Sequence, residues 1–98
     1  MAWTVLYKGK ARKQIKLMPS EIANAMKFLE SHLKLNGPEA KGFPHYSLIA
    51  GSKNTYHCHL NKKHPRYVAV WVVTSFENKE IEVRYVGTHE GINYNRIG

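Results

Sequence analysis

The sequence predicts an α+β fold: an antiparallel sheet of about four strands, with two N-terminal helices packed on one face, in the order β-α-α-β-β-β. Three observations lead there. Residues 19–36 carry apolar side chains at helical spacing. Residues 67–75 and 80–89 are dense in β-branched and aromatic residues and are separated by one short polar turn. The helical pattern precedes a run of strands instead of alternating with them, which gathers helices on one side of an antiparallel sheet.

Each element has its own signal. WTVLY (3–7) combines β-branched and aromatic residues and reads as the first strand. Residues 8–18, with Lys8, Lys10, Arg12, Lys13 and Lys16, read as a short basic helix or an ordered approach to the next one. Pro19-Ser20 opens the clearest helix. Ser20 is a capping residue type, and Glu21 suits the positive end of the helix dipole. Ile22, Met26, Leu29 and Leu33 then fall on one face and are expected in the core. Asn36-Gly37-Pro38 supplies the stop, glycine for the left-handed residue and proline against continuation.

Residues 39–55 form a crossing segment with two turn signals. In YHCHL (56–60) alternation puts Tyr56, Cys58 and Leu60 on one side and His57 and His59 on the other. NKKHPR (61–66) is a basic turn. YVAVWVVTS (67–75) is apolar on both faces, as a covered central strand should be. After the FENKE turn, the last strand is expected to place Ile81, Val83 and Tyr85 on one face and Glu82, Arg84 and Val86 on the other.

Ninety-eight residues support one domain, 1–98, with one modest core. No apolar run is long enough to span a membrane, and the first residues lack a signal-peptide layout, so a cytoplasmic protein is expected. The lone Cys58 builds neither an internal disulfide nor a zinc cage. Fifteen Lys and Arg against seven acids, all Glu, give a net charge of +8, which favours a polyanion or an acidic protein as partner.

The residues that carry chemistry cluster late in the chain. His57 and His59 share the face away from the apolar side of their strand. Lys62, Lys63, His64 and Arg66 follow in the adjoining turn. Arg84, His89 and Tyr94 belong to the last strand and its continuation. No paired carboxylates accompany them, which argues against glycosidase or aspartic-protease chemistry. RNA cleavage through the 2′-hydroxyl needs a base, an acid and cations against the phosphorane charge. Imidazole, Lys and Arg supply these without metal. A His-x-His pair on one strand face also suits zinc, with His89 or His45 as a third ligand.

The ordered series NGPEAKGFPHYSLIAG, YHCHL, YVAVWVV and VRYVGTHEGINY resembles the RelE/ParE superfamily of type II toxin–antitoxin toxins, nearest to its RelE- and YafQ-like branch. The resemblance spans essentially the whole chain. RelE-type enzymes carry two lysines, two apart, where this chain has His57 and His59. His59 also matches a catalytic YafQ-type histidine. Gly87-Thr88-His89 followed by Tyr94 matches the YafQ-type ending, and His45 loosely matches a further upstream histidine. Three places depart. Asn61-Lys62-Lys63 stands where YafQ-type chains have an acid. Val68 occupies a RelE-type arginine position, with Arg66 close by. The aromatic after His89 is spaced one residue differently.

The resemblance implies a ribosome-dependent endoribonuclease, an mRNA interferase working by acid–base chemistry without a cofactor. His59, His89, Tyr94 and His57 would be catalytic, and Lys62, Lys63, Arg66 and Arg84 would bind RNA. The implied partners are a cognate acidic antitoxin, the ribosome and mRNA. Neither a membrane nor DNA is expected to be bound by the toxin alone. Two other readings stay open: a ParE-like toxin that inhibits DNA gyrase and cuts nothing, and a basic RNA-binding module.

Overall fold

The computed structural model describes residues 2–90, and its order is β1 (Thr4–Tyr7), α1 (Gly9–Lys16), α2 (Ser20–Asn36), β2 (Ser47–Leu48), β3 (Thr55–His59), β4 (Tyr67–Ser75) and β5 (Glu80–Thr88). The strands form one sheet in the spatial order β1-β5-β4-β3-β2. The helix pair, the central β4 and the two hairpin strands around it are where the sequence places them. The sheet has five strands and is mixed. The two-residue β2 lies within the predicted crossing segment and pairs antiparallel to β3. β1 pairs parallel to β5. That follows from connectivity: β1 runs directly into two helices that carry the chain across the sheet, and three antiparallel steps back leave β5 pointing the same way as β1.

The helical face of Ile22, Met26, Leu29 and Leu33 is buried as its spacing requires. Met26, Leu29 and Leu33 pack with Ala69, Trp71, Val73, Ile81, Val83 and Val86 in one core cluster. Ser20 does not cap. Pro19 holds the cap position with no side-chain hydrogen bond, and its carbonyl receives the Ile22 and Ala23 N–H groups. Gly37 ends α2 at φ +90, its N–H bonded to the Leu33 carbonyl at 2.9 Å. A Cβ here would lie 2.9 Å from the Trp3 indole nitrogen, so glycine serves both the dihedral and the packing.

Two features of this core set up the open sheet face. The rings of Tyr46, Tyr56 and Trp71 are mutually stacked at 6.2–6.5 Å, and the buried Trp71 Nε1 donates to the Pro38 carbonyl at 3.0 Å. This ties both ends of the 38–46 segment to the sheet. The second feature is a β-bulge. Val70 pairs with Tyr85 but Trp71 pairs with Val83, which leaves Arg84 as an extra residue. The bulge reverses the alternation expected for β5. Tyr85 leaves the Ile81–Val83 face and joins Val68 and Val70 on the opposite side, while Val86 enters the main core.

Candidate functional site

Strand pairing lays out the site before any side-chain contact does. On the face away from the helices, Ser47, His57, Val70 and Tyr85 are joined in one row across the sheet. His59, Val68 and Gly87 form the next. Because His57 and His59 are two apart on β3, both stand on this face. The surrounding loops are fastened to the same end. The His59 N–H donates to the Pro44 carbonyl at 2.8 Å, and the His89 N–H to the Arg66 carbonyl at 2.8 Å. Within the 61–67 turn the Asn61 side chain bridges, donating to the Pro65 carbonyl at 3.2 Å and accepting the Tyr67 N–H at 2.9 Å.

His59 is the hub that results. The ring centroids of His45, His89 and His57 lie 4.4, 5.3 and 6.1 Å from its own. His59 is only 6% exposed. The sequence predicts the face correctly but not the exposure: His59 sits beneath other imidazoles, so its removal leaves a void there. Its Nδ1 is buried and has no hydrogen-bond partner among the described residues. Burial first, and then the positive charges of His45, His89, His57 and Arg66, push its pKa down to about 4. Burial also lowers His57, opposed by the hydrogen bond its Nδ1–H donates to the Ser47 carbonyl. The Ser47 hydroxyl lies 3.1 Å from His57 Nδ1. At neutral pH His59 is therefore an uncharged imidazole facing a cationic rim.

A cleft of about 360 Å³ opens beside it, lined by Pro44, His45, His59, Asn61, Lys62 and Arg66. His45 enters with φ +54, the left-handed region that is uncommon for a side-chain-bearing residue. This turns the chain so that His45 meets His59 while the next residue, Tyr46, stacks on Tyr56 in the core. The strand pattern is silent about His45. Its nearest signal is the Phe-Pro-His-Tyr run, in which a proline fixes the entry to the turn.

The other expected residues divide. Lys62 and Arg66 line the cleft, whereas Lys63 and His64 stand exposed on the turn. Arg84 occupies the bulge, donates from Nε to Glu82 at 2.8 Å, and borders a separate hollow with Thr55, Val72 and Thr74. It is thus on the right face but outside the histidine cluster. Tyr94 lies outside the described residues. Among the described residues no three His, Cys, Asp or Glu side chains are grouped to hold a metal ion.

In the sequence Gly87 reads as the residue that lets the chain bend away from the sheet edge; the structure gives it another role. β5 continues to Thr88, and the Tyr85 ring lies over Gly87 to donate its hydroxyl to the Thr88 carbonyl at 2.8 Å. A Cβ at position 87 would lie 2.8 Å from that hydroxyl. Glycine is required here by close packing and not to let the chain bend away.

No family model matches the chain, and no curated protein matches it in sequence. Solved structures do match. A mutant of the E. coli toxin RelE in the free state superposes with a TM-score of 0.74 at 17% identity, over 99% of this chain and 95% of that one. A chain of an archaeal RelE–RelB complex from Pyrococcus horikoshii matches with a TM-score of 0.73 at 14% identity, over 94% of this chain and 100% of that one. A YoeB dimer from Staphylococcus aureus gives 0.69 at 15%, over 91% and 99%. At such identities what is shared is architecture: two helices laid on one face of a five-stranded mixed sheet, the fold of the RelE and YoeB toxins.

Proposed function

We propose that the chain is the toxin of a type II toxin–antitoxin pair and a ribosome-dependent, metal-independent endoribonuclease acting on mRNA in the cytoplasm. The observation that carries this is the packing of His45, His57 and His89 around a buried His59, beside a cleft rimmed by Lys62 and Arg66. The fold shared with RelE and YoeB supports the toxin reading. Solved complexes of that fold with RelB and YefM support an antitoxin partner.

The chemistry follows from the charges. Burial above all, with the basic side chains around it, holds His59 neutral. A phosphodiester in the cleft brings the opposite charge and moves the His59 pKa back toward neutrality, where proton transfer is most effective. One imidazole then takes the 2′-hydroxyl proton as that oxygen attacks phosphorus. A second gives a proton to the departing 5′-oxygen, leaving a 2′,3′-cyclic phosphate. Lys62 and Arg66 offset charge on the phosphorane oxygens. His59 and His89 are the proposed proton carriers, with His57 and Tyr94 supporting them and Lys63 and Arg84 contacting more distant phosphates. An acidic antitoxin segment would neutralise the basic surface.

The test is a purified translation reaction with a defined message and added protein, followed by mapping of the cut ends. Cleavage confined to ribosome-bound message is expected. An intact message would overturn the reading, and arrested DNA supercoiling in its place would support the gyrase alternative.

A further inference from the structure

Beside His59, next to the Lys62–Arg66 cleft, lies a second hollow of about 240 Å³. Its lining is Ala25, Phe28, Gly42, Phe43, Pro44, Leu60 and His59, apolar apart from the histidine. Pro44 and His59 line both hollows. Phe28 is 71% exposed on α2, as is Leu35 near the end of that helix at 75%, whereas Ile22, Met26, Leu29 and Leu33 are buried. Its ring meets Phe43 at 5.6 Å and 41°, and His32 approaches Phe43 edge-on at 5.3 Å. Position 42 carries no side chain, and a Cβ there would meet nothing within 4 Å, so the rim is open.

We propose that this hollow is a nucleobase subsite, in which Phe28, backed by Phe43, stacks on an unpaired base of the RNA whose phosphate lies in the neighbouring cleft. The inference rests on the ribonuclease reading and adds to it a recognition element on α2. Single-stranded RNA presents a flat apolar face and an anionic backbone within one nucleotide. Proteins that bind it pair an exposed aromatic with a cationic groove. Here the two halves meet at His59. An aliphatic partner side chain would need the apolar wall but neither the ring nor the adjoining cations, so continuity with the cleft favours a base. Stacking tolerates any base, so the subsite orients the strand with little sequence preference.

The test uses fluorescence anisotropy with 2′-O-methyl hexanucleotides, which cannot be cleaved, one intact and one with a single abasic position moved along it. The wild-type chain should bind the intact probe more tightly than a probe abasic at one position. Phe28→Ala should weaken the intact probe by about tenfold and abolish the difference between probes. Phe28→Tyr should retain wild-type behaviour, and Phe28→Leu should behave like the alanine variant. Circular dichroism checks the fold of each variant at this exposed position. Equal binding of intact and abasic probes by the wild-type chain, or no binding of either, overturns the subsite. So does full retention by Phe28→Leu, which would identify an apolar side-chain pocket. Base-dependent binding through Phe28 with no message cut in translation leaves the subsite standing and removes the ribonuclease reading instead.

Discussion

Replacing His59 with phenylalanine should remove a pH-dependent weakness from the fold. The histidine's pKa stands at about 4 in the folded chain, against an ordinary value of 6.5. Between those values the unfolded chain binds the proton and the folded chain does not, so stability falls as pH falls through that window. Two and a half units correspond to about 3 kcal/mol, fully lost at and below pH 4. That is a large part of the ~5–15 kcal/mol typical of a whole domain. Phenylalanine keeps a flat ring over Val68 but cannot charge among His45, His57, His89 and Arg66. Urea titrations from pH 7 to 4 would measure it, followed by tryptophan fluorescence from Trp3 and the buried Trp71. Both proteins lose stability as their carboxylates and other histidines titrate. The wild-type chain should lose about 2–3 kcal/mol more than the variant over that interval. Parallel curves, within a few tenths of a kcal/mol, would show that His59 takes up its proton in the fold as easily as in the open chain.

The remaining expectations concern activity and packing. His89→Ala should cut message cleavage by roughly a hundredfold to ten-thousandfold with little change in melting, because His89 is exposed; wild-type cleavage by the folded variant would remove His89 from the chemistry. Cleavage should continue in a chelator, and activity that vanishes there and returns with zinc would make His57 and His59 metal ligands. Gly87→Ala should cost about 1–3 kcal/mol, and pairing it with Tyr85→Leu should recover part of that loss; additive losses in the double variant would clear the Tyr85 ring of the clash. Trp71→Phe should destabilise by about 1–3 kcal/mol because it leaves the Pro38 carbonyl unpaired and the stack short, and a neutral result in urea would show that the indole bond adds nothing.

The parts legible from sequence are those where one strong period decides. The four apolar residues of α2, the doubly covered β4 and the face shared by His57 and His59 each follow from spacing alone, and each is found. The misses have local causes that hydropathy does not register. β2 is two residues long and held by pairing to β3, so it has no pattern of its own. A bulge at Arg84 inserts one residue without altering composition, and every assignment beyond it on β5 inverts. His59 sits on the expected face, yet its burial comes not only from His57 beside it on β3 but from His45 and His89, which are distant in sequence and arrive from the crossing segment and the end of β5. His45 depends on a left-handed turn that no neighbouring glycine announces.

The extra residue at Arg84 makes the last third of β5 a matter of phase. Deleting Arg84 would even out the ladder and change no face, because Tyr85 already stands opposite Val70 and Val86 opposite Ala69. Deleting Gly87 would let Arg84 fill the ladder opposite Val70 and move Tyr85 opposite Ala69 and Val86 opposite Val68, exchanging the two faces between them. The two single-residue deletions lie three positions apart, yet one only removes an irregularity while the other turns Tyr85 toward the helices and Val86 toward the histidines.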